Sequence, residues 1–160
     1  MNDIQTYVDY ANSLPGVLRI STSKPDSLTY LAAESVYMRG NRTDAESAMN
    51  RYLQSYPNGA YNSDAHYYLG LVADERNNKE QALSHFRRVI DAGNIKFLDN
   101  ALIYTSQTEY QNGNLQQALA DYSRLSNSAR NATNKQIGQL GVVRTQSQLG
   151  NHHDAVRAAT

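Results

Sequence analysis

The chain has 160 residues with 15 Lys plus Arg and 15 Asp plus Glu, so its formal net charge is zero. That balance removes the broad electrostatic case for nucleic acid or an anionic membrane, since both draw on excess positive charge. With no cysteine, disulfides, thiolate metal sites and cysteine nucleophiles drop out, and no apolar run reaches the roughly 18 residues that a membrane helix needs.

Residues 2–14 form the first predicted helix, with Ile4, Tyr7, Val8, Ala11 and Leu14 at helical spacing before Pro15-Gly16 stops it. A basic segment followed by an apolar stretch is missing there, so no signal peptide is expected in these residues. Residues 16–25 read as irregular. Helices are then predicted over 26–39 and 43–56, carrying Leu28, Leu31, Ala32 and Val36, then Ala45, Met49, Tyr52 and Leu53, toward a shared interior. Pro57-Asn58-Gly59 breaks the chain. The next hairpin pairs 63–76 with 79–92, and Ala92-Gly93-Asn94 ends it. A third pairs 97–112 with 115–126, and the polar stretch 127–133 reads as a linker. The last begins with 134–149, turns, and starts a second helix at 152 that runs to Thr160.

One phrase marks each expected turn: Gly40-Asn41-Arg42-Thr43-Asp44-Ala45, Asn77-Asn78-Lys79-Glu80-Gln81-Ala82, Gly113-Asn114-Leu115-Gln116-Gln117-Ala118 and Gly150-Asn151-His152-His153-Asp154-Ala155. Its alanines stand 37, 36 and 37 residues apart, and Asn2-Asp3-Ile4-Gln5-Thr6 is a fainter copy. A period of this size points to a repeat architecture. Gly or Asn ends one helix at positive φ, and the next Asn caps the following one. Asp or Gln three residues on completes a capping-box-like arrangement. Small residues also recur midway along each first helix, at Ala33, Gly70 and Ser106, whereas the fourth copy has Val143.

In these positions the chain resembles the tetratricopeptide repeat (TPR) family. Ala33, Ala45, Met49 and Pro57 carry the likeness in the first unit, and Tyr67-Tyr68-Leu69-Gly70, Ala82 and Phe86 in the second. Ser106, Ala118 and Tyr122 carry it in the third, and Gly150, Asn151 and Ala155 in the fourth. The unit is longer than the family's usual length of about 34 residues. The resemblance implies an all-α fold, a right-handed TPR-like superhelix of antiparallel helix hairpins, that is, an α-solenoid. It implies one repeat domain over 1–160, with a half-unit at 2–14, full units at 26–57, 63–93 and 97–126, and a truncated unit at 134–160. The expected origin of those end pieces is a longer array. Tyr56-Pro57-Asn58-Gly59 resembles bacterial cell-envelope members, so a periplasmic or envelope location is favoured over a cytoplasmic one.

No catalytic chemistry is expected. His152-His153-Asp154 is the one histidine cluster, and adjacent helical side chains diverge by about 100°, so it reads as solvated first-turn residues. His66 and His85 read as packing within one hairpin. Asp64, Asp74 and Glu75 read as solvated helix-face charge, and Arg87-Arg88 is too short for nucleic acid. No nucleophile elbow, phosphate loop or zinc-helix motif occurs. The expectation is therefore a non-enzyme with no cofactor and no metal site.

The resemblance places a partner-binding groove along the first helices. Its candidate residues are Tyr30, Glu34 and Tyr37; Tyr67, Leu71 and Asp74; Ile103, Gln107 and Tyr110; and Leu140 and Arg144. Each set of three shares a helix face by its spacing of four and three. Tyr30 and Glu34 stand where the family's carboxylate clamp has Lys and Asn, so acidic chaperone tails are not expected ligands. Two outcomes are open for these tyrosines, a groove surface or packing between repeats. The functional expectation is a protein–protein interaction scaffold that presents this groove to a peptide or protein. The alternative is a structural spacer that self-associates through exposed end repeats. Neither nucleic acid nor direct membrane insertion is expected.

Overall fold

Three of the four recurring phrases form tight turns. Gly40, Asn77 and Gly113 adopt φ of 86°, 59° and 79°, the left-handed region that ends a helix. The following amides reach back, Asn78 N to Ala73 O and Asn114 N to Glu109 O, each at 2.9 Å. A computed structural model describes residues 25–158, with side chains over 25–150. Seven helices follow in order: α1 (Pro25–Met38), α2 (Arg42–Ser55), α3 (Asn62–Glu75), α4 (Lys79–Asp91), α5 (Leu98–Gln111), α6 (Leu115–Ser128) and α7 (Ala132–Ala158). The expected helix at 2–14 lies outside the described residues.

Each new helix starts on the predicted asparagine, but the caps differ. Asn41 Oδ1 accepts from Asp44 N at 3.2 Å, and Asn78 Oδ1 from Gln81 N at 3.1 Å. The Asn78 side-chain amide also donates to Gln81 Oε1 at 3.0 Å, a side-chain version of the capping box. Asn114 makes no side-chain cap; its amide donates to Glu109 Oε2 at 2.7 Å. Asn78→Ala is accordingly expected to cost about 1 kcal/mol in urea unfolding, and Asn114→Ala only a few tenths. Equal losses would refute the difference in capping.

Hairpins stack because the phrase alanines leave room for close approach. Ala45, Ala82 and Ala118 are 1%, 0% and 0% exposed, and the side chains four residues on, Met49, Phe86 and Tyr122, are 1%, 2% and 1% exposed. One continuous core joins Met49, Ala82 and Phe86 with Tyr30, Tyr52, Leu69, Val89, Leu102 and Leu125. Successive units are latched by an aspartate at the start of each first helix. Asp26 accepts from Ala60 N at 2.9 Å, Asp64 from Asn94 Nδ2 at 2.5 Å, and Asp99 from Arg130 N at 3.2 Å. Asp64 and Asp99 are buried, so Asp64 is a satisfied inter-unit acceptor and not the solvated charge that the sequence suggested.

Two expectations change toward the C-terminal end. The linker 127–133 shrinks to three residues, because α6 continues to Ser128 and Asn131 accepts from Asn134 N at 2.8 Å to start α7. The expected turn at Gly150-Asn151 does not form; α7 continues through it for 27 residues. A turn gives up helical hydrogen bonds and must recover them through burial. Where Met49, Phe86 and Tyr122 stand in the other units, this one has only Ala159, so continuing the helix is the lower-energy course.

The small residues mid-helix behave as expected in the second unit. A Cβ on Gly70 would lie 2.9 Å from Phe86 Cζ. Val143, which broke the pattern, is 65% exposed; α7 instead meets α6 through Gly138 and Gly141, against the Ser126 backbone and the Tyr122 ring.

Candidate functional site

Four of the groove candidates meet in one cleft. Tyr67 and Leu71 of α3 and Ile103 and Gln107 of α5 line a concavity of about 240 Å³, with Phe86, Asn100 and Tyr104 completing it. Side chains of those two first helices meet across the cleft, with Phe86 of α4 seated against Gly70 of α3. Phe86 packs on Tyr104 with ring centroids 4.4 Å apart and on Tyr67 at 5.8 Å. Tyr67 stacks on Phe97 at 3.9 Å and 8°, and its hydroxyl accepts from Asn100 Nδ2 at 3.0 Å. The stacking holds the ring upright at the cleft edge. Asn100, Tyr104 and Phe86 escaped the sequence reading. Extending the Ile103–Gln107 stripe one turn back finds Asn100, whereas Tyr104 and Phe86 need the packing of α4 on α5.

The remaining candidates lie elsewhere. Tyr30 is 1% exposed, with its ring stacked on Tyr61 at 4.5 Å, so it belongs to the core and not to a groove surface. Glu34 accepts from the Tyr30 hydroxyl at 2.9 Å and from the Tyr68 hydroxyl at 2.8 Å, which ties α1 to α3. Asp74 repeats the arrangement one unit on, accepting from the Tyr104 hydroxyl at 2.9 Å and pairing with Lys79. Burial raises the Asp74 carboxyl, but the bonds from Lys79 and Tyr104 outweigh it and leave the group below the usual carboxylate range. Tyr37 packs against Tyr68 at 4.7 Å beneath the Arg42 guanidinium, 4.0 Å from its ring centre. Arg144 sits over Tyr110 at 4.3 Å, and Leu140 is 64% exposed on α7. Of the candidate tyrosines, Tyr30 packs within the stack and Tyr67 lines the cleft. Burial first, then the Glu34 hydrogen bond, pushes the Tyr30 and Tyr68 hydroxyls well above the ordinary tyrosine value, so both remain donors.

His66 and His85 lie closer than packing alone requires. Their Nδ1 atoms are 3.0 Å apart across the α3–α4 hairpin, and both rings are half-buried. Burial, then the adjacent His85 and Arg88, pulls His66 down to about 4, and burial and Arg88 lower His85 too. The unfolded chain takes up these protons at ordinary histidine pH, before the folded one does. Stability is thus complete above about pH 6.5 and falls as pH drops toward 4. Allowing for solvent screening of half-exposed rings, the loss is on the order of 1–2 kcal/mol. Urea midpoints at pH 7 and pH 4.5 measure it, and His66→Gln is expected to reduce the difference.

Stacked antiparallel hairpins with a latched, continuous core and a concave cleft across successive first helices define an α-solenoid. The tetratricopeptide repeat family model matches residues 26–59 and 64–92, the α1–α2 and α3–α4 hairpins. Those two hairpins are tetratricopeptide repeats. It is also similar to a probable biofilm formation methyltransferase, WspC, of Pseudomonas putida, at 39% identity over 51 residues. That match covers 32% of this chain and 11% of the relative, so the chain spans about a ninth of that protein's length.

Proposed function

We propose that the protein is a non-catalytic scaffold that holds a peptide or protein segment in the cleft between α3 and α5. Repeats of this family typically bind proteins or peptides, and the cleft geometry supports that use here. Its floor is the apolar pair Leu71 and Ile103 over Phe86, and its edges carry hydrogen-bonding groups from Asn100 and Gln107. Apolar floor and polar edge suit an extended or helical segment that inserts one large apolar side chain. The carrying observation is that convergence of Tyr67, Leu71, Ile103 and Gln107. A bacterial envelope setting belongs to this reading through Tyr56-Pro57-Asn58-Gly59. The methyltransferase activity in the relative's name does not, since the likeness covers 11% of that protein.

Selecting binders from a displayed peptide library and placing a photo-crosslinking residue at Gln107 tests the proposal. Crosslinks at Gln107, with binding weakened about tenfold or more by Tyr67→Ala or Ile103→Asp, are expected. Binding unaffected by both substitutions would reject the cleft.

The spacer reading rests on a different observation, the exposure of Leu140 and Val143 at 64% and 65% on α7. Apolar side chains exposed on α7 favour self-association. Light scattering over a concentration series should then show a dimer that Leu140→Asp with Val143→Asp dissolves. A monomer at every concentration removes this alternative.

A further inference from the structure

We propose that His66 and His85 form a two-imidazole chelate for a divalent late transition-metal ion, with Cu(II) the preferred occupant. The helices put both rings on the facing sides of one hairpin, with Nδ1 atoms 3.0 Å apart. Two nitrogens at metal bond lengths of about 2.0–2.1 Å and this separation subtend roughly 90–95° at the ion, the adjacent-ligand angle of tetragonal coordination. Tetrahedral zinc would spread them to about 3.4 Å. Imidazole ligands and the general affinity order both favour Cu(II) over the other divalent ions of the series.

Access and protonation fit as well. The pair lines an open cleft of about 790 Å³ with Ser63, Gln81, Arg88 and Asp91, so an ion can enter and water can complete its shell. Without metal, one neutral ring donates its Nδ1–H to the other. On binding, the donor ring moves that proton to Nε2, and both Nδ1 lone pairs face the ion with no net proton released at neutral pH. Among the described residues no group of three His, Cys, Asp or Glu side chains is arranged to hold a metal. The chelate is therefore open, with solvent holding the remaining positions. Arg88 opposes a cation, but it is an exposed residue that can turn into solvent, and Glu46 acts on His85 in the opposite sense. This balance makes the site weak and exchangeable, suited to sensing or transient capture.

The sequence holds four histidines, so His152→Gln with His153→Gln leaves only His66 and His85. Titrating that double variant with Cu(II) and recording its electron paramagnetic resonance spectrum is the test. One ion per chain with hyperfine coupling from imidazole nitrogen is expected. Adding His66→Gln or His85→Gln is expected to weaken binding at least about tenfold, ligand loss costing no less than loss of a supporting contact. Unchanged affinity after either addition, in chains whose circular dichroism shows them folded, would overturn the proposal. Should those variants not fold, the double variant alone decides through its ring-proton resonances. Selective paramagnetic broadening of both histidines supports the chelate, and broadening of neither overturns it.

Discussion

Phe86→Ala is expected to lower the unfolding free energy by about 3–5 kcal/mol, the usual cost of truncating a buried phenylalanine. The ring is 2% exposed and fills the space that Gly70 leaves on α3. It also backs Tyr104 of the next unit at 4.4 Å, so its loss uncouples two hairpins at once. In a stacked array each unit touches only its neighbours, which keeps the damage local. Hydrogen exchange should show protection falling most in α3, α4 and α5 and least at the start of α1. A uniform fall across the helices would contradict the one-dimensional picture. Because Phe86 also lines the cleft, the same variant is expected to lose peptide binding.

Gly138→Ala is the second large effect, with a net loss of about 2 kcal/mol. A Cβ there would meet Ser126 N at 2.5 Å, Ser126 Cα at 2.8 Å and Tyr122 O at 2.9 Å, all of them backbone atoms. Backbone cannot step aside as a side-chain tip can, so α6 and α7 must separate. Overpacking of this kind costs up to about 3 kcal/mol, and the better helix propensity of alanine returns about 1. Gly150 supplies the control, since nothing lies within 4 Å of its added Cβ. Gly150→Ala should be neutral or stabilising by up to about 1 kcal/mol. Denaturation curves in which the two substitutions cost the same would refute the close-contact account.

Most of the fold was legible because the recurring phrase encodes local events. A residue able to take positive φ, then a capping asparagine, then a small alanine, fixes where a helix stops and its partner starts, and the helix bounds agree within a residue or two over α1 to α5. Failures came where tertiary energy decides. Gly150-Asn151 has the turn chemistry, but Ala159 stands where the other units carry Met49, Phe86 and Tyr122. Val143 marked a departure from the small-residue pattern, but the sequence reading did not find the residues that replace it, Gly138 and Gly141 on another face of α7. For the site, helical spacing grouped Tyr67 with Leu71 and Ile103 with Gln107, and these four side chains line one cleft. Spacing cannot say how far each ring is buried, so Tyr30 looked equivalent to Tyr67 although Tyr61 covers it. Spacing placed His66 and His85 in one hairpin as packing partners but not their 3.0 Å Nδ1–Nδ1 approach, which depends on the rotation of two helices about their axes.

The ionic contacts between hairpins have a mechanical consequence. Arg42 pairs with Glu75 at 2.6 Å, Arg76 with Glu46, and Arg87 bridges Glu109 and Asp121 at 3.1 Å and 2.7 Å. Each links one unit to the next, and the first two lie in largely exposed positions where salt screens them. The buried aromatic spine fixes the length of the array, while these outer links resist its bending. The solenoid therefore acts as a spring whose stiffness depends on ionic strength, firmer toward α6 where Asp121 is buried and softer at the α1–α3 end. Small-angle scattering in low and high salt is expected to show a broader distribution of curvature in high salt at unchanged helix content. Identical curves would show that the outer links contribute nothing to shape.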